Sequence, residues 1–257
     1  MKILILGAGK MGSFFCDLLS FDHTVAIYDR DPERLRFTYN VLRFSSLDEV
    51  DGFAPDMVLN AATVKYTVDA FRQVLPHVPA TATLSDIASV KRGLPEFYAE
   101  AGHPYVSTHP MFGPTFASLS NLAEENAIVI SEGDAGGIEF FLRLYAGLGL
   151  HVEQYTFREH DRTIAYSLSV PFASSLVFGS AMKPQPAPGT TFKRHMAIAR
   201  GLMSEDDYLL SEILFNPDSV GQLDNILEAL SGLRDIVAAR DADAMRSFLA
   251  RVRRNLD

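Results

Sequence analysis

The sequence predicts an α/β fold with a doubly wound, mostly parallel sheet, followed by an all-α part. Up to about residue 157, short apolar runs alternate with helical patterns, as in a sheet covered by helices on both faces. After Glu159 the pattern becomes helical and is interrupted by the proline-rich segment 183–189. We therefore predict two domains, 1–157 and 158–257. The predicted strands are 2–6, 24–28, 57–62, 83–87, 104–108, 126–131 and 151–156.

The first apolar run ends in three closely spaced glycines, Gly7, Gly9 and Gly12. Such glycines allow a tight turn and a close approach of the backbone to a pyrophosphate at the positive N-terminus of the next helix. We predict that helix over residues 13–19, and Asp29 follows at the distance that ribose hydroxyls require. The pattern indicates a Rossmann-type dinucleotide-binding domain. The alternative is a glycine turn in an α/β protein that binds no nucleotide.

Asp29 also bears on the choice of cofactor. Its carboxylate can accept hydrogen bonds from both ribose hydroxyls of NAD, while its charge repels a 2′-phosphate. Arg30 follows directly and could pair with that phosphate if it turned inward. We therefore expect NAD in preference to NADP. The residues assigned to the cofactor are Gly7, Gly9, Lys10, Met11, Gly12, Asp29, Arg30, Ala62 and Thr63.

Length, charge and cysteine content favour an intracellular enzyme. The chain has 257 residues with 47% hydrophobic content, which is enough to bury a sizeable core. Its formal net charge of −9 argues against a nucleic-acid surface, which needs clustered Lys and Arg. Cys16 is the only cysteine, so no disulfide can form within the chain. The N-terminus reads as a core strand without a signal-peptide pattern, and we expect a cytoplasmic protein.

The stretch 163–182 contains no charged residue and is long enough to suggest a membrane span. It also contains several serines and Pro171, which argue against a lipid-facing helix. We therefore predict no membrane contact and expect a helix that is buried in the core of a domain or between subunits.

A hydroxyl and an imidazole follow two neighbouring predicted strands. Ser89 and His109 should lie at the carboxyl edge of the sheet, where ligands bind in open α/β folds and where the glycine turn also lies. Both side chains would then converge on the nicotinamide. Pro110 favours an extended conformation at His109, and a turn with Gly113 and Pro114 would fix the direction of the ring. The alternative is a loop histidine that faces water.

Four motifs occur together in this chain: Gly7-x-Gly9-x-x-Gly12, Asp86-Ile-Ala-Ser89-Val-Lys91, His109-Pro-Met-Phe-Gly-Pro114 and Glu159-His160-Asp161. Their order and rough spacing resemble the prephenate dehydrogenases of tyrosine biosynthesis, over most of the chain. The resemblance implies a nucleotide-binding domain and a helical domain that forms much of a homodimer interface. It also implies oxidation of prephenate by NAD or NADP to 4-hydroxyphenylpyruvate and carbon dioxide. Close relatives oxidise arogenate and give tyrosine.

The resemblance assigns roles to three residues. His109 matches the catalytic histidine of the family, which takes the proton of the substrate's ring hydroxyl as hydride leaves C4. That role needs a neutral imidazole, and its ordinary pKa of about 6.5 provides one near neutral pH. Ser89 matches a serine that orients this histidine and the reacting hydroxyl. Lys91 belongs to the same motif, but its role stays open.

Prephenate is a dianion, so the helical part must supply cations or helix N-termini. The candidates are Lys193, Arg194 and Arg200, with His195 beside them; the alternative is a solvated helix face. Relatives carry a substrate-binding arginine in this region, and our alignment falls between Arg200 and Gly201. Some relatives also have substrate-contacting histidines where this chain has Ser169-Val-Pro-Phe172. The preference between prephenate and arogenate is therefore left open.

Glu159, His160 and Asp161 are consecutive, and consecutive helical residues point in different directions. We therefore expect no metal there and assign the trio to a hinge or to a contact with the cofactor domain. Two other functions remain as alternatives: another NAD-dependent hydroxy-acid dehydrogenase, and a non-catalytic NAD-binding regulator. The first would not be expected to share the residues around His109. We expect no separate chorismate mutase or regulatory domain in the chain.

Overall fold

The computed structural model describes residues 1–112 and 122–256. The chain divides into two compact units, Met1–Asp161 and Arg162–Asp257, whereas the boundary expected from the sequence lay at residue 157. The turn expected at Gly113 and Pro114 lies outside the described residues.

The first unit contains an eight-stranded sheet, and every pair of neighbouring strands is parallel except β6 with β7. The prediction of a mostly parallel sheet is therefore confirmed. The strand order is β3-β2-β1-β4-β5-β6-β7-β8. The strands are β1 (Lys2–Leu6), β2 (Thr24–Tyr28), β3 (Leu42–Phe44), β4 (Met57–Asn60), β5 (Thr83–Asp86), β6 (Tyr105–Pro110), β7 (Asn126–Ile130) and β8 (His151–Tyr155).

Strand β3 is the one described strand that the sequence did not predict. It has three residues, of which only Phe44 is buried, so it shows neither an apolar run nor an alternating pattern. The other strands deviate from their predicted bounds by no more than two residues at either end. The predicted helix 13–19 begins earlier, at Lys10.

Helices cover both faces of the sheet. In β1, Ile3 and Ile5 pack on one face with Phe15 of the first helix, whereas Leu4 and Leu6 pack on the other face. Burial on both faces explains why this strand is a continuous apolar run. The helices of this part are α1 (Lys10–Leu19), α2 (Asp48–Phe53), α3 (Thr67–Val74), α4 (Leu94–Ala101), α5 (Ala135–Gly147) and α6 (Phe157–Ile164), which runs across the division between the units. Short 3₁₀ helices span Pro32–Phe37, Val64–Tyr66 and Leu75–His77.

The second unit is helical, and the proline-rich segment 183–189 is non-helical, as predicted. A π-helical turn, Ala165–Ser169, follows α6. In this unit α7 contacts α8, and α10 contacts both α7 and α11. The helices are α7 (Val170–Ala181), α8 (Thr190–Leu202), α9 (Asp207–Leu214), α10 (Ser219–Ala239) and α11 (Ala242–Leu256).

The charge-free stretch 163–182 is not buried in the core of a domain, which corrects one of the two alternatives stated for it. The continuous helical run Phe157–Ala181 is long and apolar enough to cross a membrane by length and composition, and only 22% of its most apolar window is buried. Many large apolar side chains of this unit, within that stretch and beyond it, are exposed. They are Tyr166, Val177, Ile198, Met203, Tyr208, Phe215, Val220, Leu227, Leu230, Val237, Leu249, Val252 and Leu256.

Candidate active site

Two positions at the turn after β1 require glycine. Gly7 has φ +97°, in the left-handed region, and a Cβ there would lie 3.0 Å from the backbone nitrogen of Ala62. A Cβ on Gly12 would lie 1.8 Å from the carbonyl oxygen of Gly7, so helix α1 packs directly on the turn. These two glycines set the position of the helix N-terminus at the carboxyl edge of β1.

Gly9 is different, because a Cβ at this position would meet no atom within 4 Å. It is the N-cap of α1, and neither a side-chain cap nor an acidic residue occupies the first turn of that helix. The backbone N–H groups at Lys10 and Met11 can therefore donate hydrogen bonds to an anion, which the positive end of the helix dipole also attracts. The open space at Gly9 fits a pyrophosphate.

Asp29 lies directly after β2 and is buried beside the glycine turn. Its Oδ2 accepts a hydrogen bond from the backbone N–H of Ala8 at 2.7 Å, and its Oδ1 accepts one from that of Asp31 at 2.8 Å. Each oxygen of a carboxylate can accept a second hydrogen bond. Asp29 is therefore held rigidly, with capacity left for the ribose hydroxyls.

Arg30 lies against an aromatic ring. Its guanidinium carbon is 4.0 Å from the centre of the Tyr66 ring, and Lys65 lies 5.6 Å from the same ring. A hydrogen bond between the two side chains lowers the pKa of Tyr66. Tyr66 ends the 3₁₀ helix that directly follows Thr63. Arg30 is thus held by a cation–π contact at the rim of the predicted cofactor site.

The loop after β4 is held by Asn60, whose side chain is buried. Its Oδ1 accepts a hydrogen bond from the backbone of Ala62 at 3.1 Å, and its Nδ2 donates to the carbonyl oxygen of Thr67 at 2.8 Å. Ala62 also lies against Gly7, so this loop and the glycine turn are in contact. Ala62 is therefore close to the turn, and the assignment of Ala62 and Thr63 to the cofactor stays a prediction.

A buried ion pair connects β5 to β6. Lys91 Nζ lies 2.6 Å from Asp86 Oδ1 and donates a second hydrogen bond, also 2.6 Å long, to the carbonyl oxygen of Thr108. Tyr98 donates to Asp86 Oδ2 at 2.7 Å. Burial lowers the pKa of Lys91, and the Asp86 carboxylate opposes that effect. Because Lys91 is only 1% exposed, its contacts are internal: it holds the backbone directly before His109.

Thr108 makes the other connection in this region. Its hydroxyl donates to the carbonyl oxygen of Asp86 at 3.1 Å and lies 2.8 Å from the hydroxyl of Tyr145. A threonine hydroxyl has a single proton, so Tyr145 must be the donor of the second hydrogen bond. The end of β6 is therefore held from β5, from Lys91 and from α5.

His109 lies in β6 and is only 5% exposed, so it is not a loop histidine that faces water. Its Nδ1 is 3.0 Å from Nε2 of His160, which is fully buried on α6. The Nδ1 of His160 lies 3.3 Å from Oδ1 of Asp161. Of the two roles expected for the trio that contains His160, a hinge or a contact with the cofactor domain, the structure shows the second for His160, because its side chain contacts His109 on β6.

Both imidazoles are neutral near pH 7. Burial lowers the pKa of His109 well below its ordinary value of 6.5, and His160 and Lys91 add to the effect. Burial, followed by the charge of Lys91, lowers the pKa of His160 to about 3. The sequence led us to expect an ordinary pKa for His109, and the structure corrects this expectation downward. The related expectation, a neutral imidazole near neutral pH, still holds.

Ser89 lies three residues beyond the end of β5 and is half-buried. Within residues 1–112 and 122–256 it makes no hydrogen bond to His109; the imidazole is bonded to His160 instead. The role of Ser89 toward a substrate hydroxyl stays a prediction.

The sequence drew attention to His160 through the motif Glu159-His160-Asp161. It did not show that His160 contacts His109, because the two residues are far apart in the chain.

The cations predicted to bind substrate all lie on α8 and are exposed. Lys193 and Arg200 are two turns apart and share a face of the helix, whereas Arg194 lies about 100° around it. His195 lies against the Phe178 ring, with 5.2 Å between ring centres. Lys193 and Arg200 are therefore the pair of this cluster that one ligand can reach together.

Ser169, which stands near the substrate-contacting histidines of some relatives, is directed into the helical unit. Its Oγ donates to the carbonyl oxygen of Ile213 at 3.2 Å and lies 2.8 Å from the Oγ of Ser219. The side chain is fully buried. It therefore stabilises the packing of α9 and α10 against the π-helical turn.

The fold and the glycine turn define a nucleotide-binding domain of the Rossmann type, with a buried histidine pair at the carboxyl edge of its sheet. The family model for the nucleotide-binding domain of prephenate dehydrogenase matches residues 19–153. That is more than half of the chain, and the chain therefore belongs to the prephenate dehydrogenase family. The resemblance stated from the four sequence motifs is confirmed.

Individual relatives agree with this family. A probable arogenate/prephenate dehydrogenase of Methanocaldococcus jannaschii is 23% identical over 204 residues, which are 73% of this chain and 45% of that protein. The chain thus spans less than half the length of this curated relative. Among solved structures, prephenate dehydrogenase from A. aeolicus, in complex with hydroxyphenyl propionate and NAD+, has a TM-score of 0.84 at 22% identity, covering 100% of this chain and 98% of that one. Synechocystis arogenate dehydrogenase has a TM-score of 0.79 at 15% identity, covering 100% and 99%.

Proposed function

We propose that this protein catalyses the oxidative decarboxylation of prephenate to 4-hydroxyphenylpyruvate, with hydride transfer to NAD. The observation that carries the proposal is the buried, neutral His109 at the carboxyl end of β6. Strands β1, β4, β5 and β6 are parallel, so this end of β6 lies at the same edge of the sheet as the glycine turn. Membership of a dehydrogenase family supports the same reaction class.

The proposed reaction needs one base and an accurate positioning of the substrate relative to NAD. When bound, NAD supplies the acceptor for the hydride that leaves C4 of the substrate. His109 accepts the proton of the C4 hydroxyl as that carbon becomes carbonyl-like. Breaking the bond to the ring carboxylate then releases carbon dioxide and restores aromaticity, and the proton held on His109 returns to the phenolic oxygen. The remaining task of the site is to orient the reactants.

NAD is the cofactor that the rim of the site favours. Asp29 carries a negative charge where the ribose hydroxyls bind in this fold, and two backbone N–H groups hold it there. Arg30 lies on Tyr66, so a 2′-phosphate would have to draw it away from the ring to gain a counter-ion. Gly7, Gly9 and Gly12 would hold the pyrophosphate at the N-terminus of α1.

The two carboxylates of the substrate need cations, and α8 carries them. Lys193 and Arg200 share one face of that helix and can bind a dianion together, with Arg194 as the alternative. The ring chemistry at C4 is the same for arogenate, which carries an amine in place of the keto group. Because Ser169 and Phe172 stand where some relatives have histidines, arogenate is the second candidate substrate.

The exposed apolar side chains of the helical unit support a homodimer. Helix α10 has 21 residues, of which only Ser219 is buried, and the charge-free stretch before Met182 is also largely uncovered. A surface of this kind is typical of an interface between subunits. Light scattering should report about twice the mass of the chain. An active monomer that persists at micromolar concentration would contradict this part of the proposal.

The decisive experiment is a steady-state assay of the purified protein with NAD, comparing prephenate with arogenate. The proposal predicts formation of reduced cofactor with prephenate and a lower kcat/KM with arogenate. His109→Asn serves as the matched inactive control. Binding of NAD without turnover of either substrate would favour a non-catalytic regulator, whereas turnover of a small hydroxy acid alone would indicate another dehydrogenase.

A further inference from the structure

We propose that the pair His160 and Asp161 sets the tautomer of His109, with the proton on Nδ1 and the lone pair on Nε2. This inference deepens the proposed function, on which it rests for the identity of the proton that Nε2 accepts. His160 is then a positioning residue, since it acts on the reaction through His109.

The argument starts at the carboxylate. An ionised carboxylate can only accept hydrogen bonds, so the 3.3 Å contact between Asp161 Oδ1 and His160 Nδ1 requires the proton on that nitrogen. A neutral imidazole has one N–H, which leaves Nε2 of His160 with a lone pair. His109 Nδ1 lies 3.0 Å from this lone pair and must be the donor. His109 Nε2 is then unprotonated.

The opposite arrangement is disfavoured by the same contacts. If His160 donated through Nε2, its Nδ1 would present a lone pair to the Asp161 carboxylate at 3.3 Å. Two acceptors would then face each other at 3.3 Å, a distance that leaves no room for a water molecule between them, and His160 is fully buried. The contact of His160 with Asp161 therefore decides which histidine donates the hydrogen bond that joins the pair: His109 donates and His160 accepts.

The charged groups around the pair agree with this protonation scheme. Lys91 acts on both histidines and Asp86 on His160, and the hydrogen bonds of Lys91 go to Asp86 and to the Thr108 carbonyl. Burial lowers the pKa of His160 to about 3, so it stays neutral near pH 7. Burial raises the pKa of Asp161, while Lys91 and Arg158 oppose the rise and favour its ionised form.

The consequence concerns which nitrogen can act as the base. A general base must reach the proton that it abstracts, and Nδ1 of His109 is turned toward the fully buried His160. Within the described residues, Nε2 takes part in no hydrogen bond. The tautomer assigned here puts the lone pair on that nitrogen; the other tautomer would put it on the inaccessible one.

Nitrogen NMR of the protein labelled with ¹⁵N-histidine measures the tautomer directly, without substrate. We expect wild-type His109 to show the Nδ1–H pattern near pH 7, with His109→Asn used to assign its signals. His160→Phe removes the acceptor and should shift His109 to a mixture of tautomers. A wild-type protein with the proton on Nε2 of His109 would overturn the inference.

Turnover gives the second measurement. His160→Phe should lower kcat about 10–100-fold with little change in KM, the loss that follows removal of a partner that orients a metal-bound histidine. His160→Gln offers an amide oxygen to His109 Nδ1 and should restore the Nδ1–H tautomer and part of kcat. The exposed His151 on β8 supplies the matched control, His151→Gln, which should leave both unchanged.

The outcomes separate this inference from the proposed function. If neither prephenate nor arogenate is oxidised, the proposed function fails, and the wild-type NMR pattern still decides the tautomer. If prephenate is oxidised but His160→Phe leaves the Nδ1–H signal of His109 unaltered, the inference fails alone. If His160→Phe does not fold, two other results test the inference: the tautomer of His109 in the wild-type spectrum, and the tautomer and kcat of His160→Gln.

Discussion

The sheet edge in residues 1–161 and the helices in residues 162–256 differ in where their important side chains find partners. At the sheet edge, the buried polar groups Asp86, Lys91, His109 and His160 are hydrogen-bonded to one another or to backbone atoms of the same unit. In the helical unit, the candidate cations and many large apolar side chains are exposed.

This difference separates two kinds of functional residue. Roles at the sheet edge can be argued from contacts within the chain, because each group is fixed by neighbours that determine its protonation and direction. Roles in the helical unit depend on a ligand or on a second copy of the chain. Substitutions at the sheet edge should therefore change kcat or stability, whereas substitutions in the helical unit should change KM or assembly.

The largest effect is expected at His109. His109→Asn should keep the fold and NAD binding while lowering kcat by roughly 10²–10⁴, the usual range for a positioned acid or base. Ser89→Ala should cost less, because it leaves the base in place. Steady-state kinetics at saturating prephenate measure both, and near-wild-type turnover of His109→Asn would place the base elsewhere.

The pH dependence of the wild type follows from the same residue. The chemistry needs neutral His109, whose pKa lies well below 6.5, so kcat should fall only at a pH well below that value, and His109→Asn should lose this limb. The folded state binds fewer protons here than the unfolded state, so stability also falls as the pH drops below about 6.5. Circular dichroism at each pH separates loss of turnover from unfolding.

The second effect is on stability at the buried ion pair. Lys91→Met leaves the Asp86 carboxylate buried without its cation and should lower the free energy of unfolding by about 3–5 kcal/mol. The exposed pair of Arg72 and Glu100 is the matched control, and Arg72→Met should cost no more than about 1 kcal/mol. Equal losses in urea unfolding would show that burial does not distinguish the two pairs.

The third effect tests the helical unit. Arg200→Ala should raise KM for prephenate by roughly tenfold, about one hydrogen bond to a charged group, with a smaller change in kcat. Lys193→Ala, on the same face, should do likewise, and Arg234→Ala on α10 is a control outside the cluster. If only Arg194→Ala raises KM, helix α8 does bind the substrate, but not through the face that carries Lys193 and Arg200.

The strength of local signals explains which parts of the fold were predictable. Buried strands and the glycine turn have short-range patterns, so seven strands and the parallel sheet followed from the sequence. Strand β3 has three residues with one buried side chain, which leaves no pattern to detect. The burial of 163–182 was expected from its composition, but composition does not say whether the same chain or a second copy covers a helix.

Single residues of the candidate site could be picked out from the sequence, but contacts between them could not. His109 and Ser89 stand at or beyond the carboxyl ends of two predicted strands, which is why the sequence singles them out, and their catalytic roles stay predictions. The contact between His109 and His160 joins residues 51 apart in the sequence, and no local pattern indicates which of them meet. The depressed pKa of His109 depends on that packing, so the ordinary value expected from the sequence could not anticipate it.

The last effect, similar in size to that of Arg200→Ala, concerns cofactor selection at Asp29. Asp29→Ser removes a charge near the expected 2′-phosphate position and should shift the ratio of catalytic efficiencies toward NADP by roughly 1–2 kcal/mol. The same carboxylate accepts hydrogen bonds from Ala8 and Asp31, so the substitution also loosens the turn and should weaken both cofactors. The ratio of kcat/KM for NAD to that for NADP cancels this shared loss, and Arg30→Ala shows what the neighbouring cation contributes. An unchanged ratio in Asp29→Ser would show that Asp29 does not discriminate between NAD and NADP. Its role would then be structural, through the hydrogen bonds that it accepts from Ala8 and Asp31.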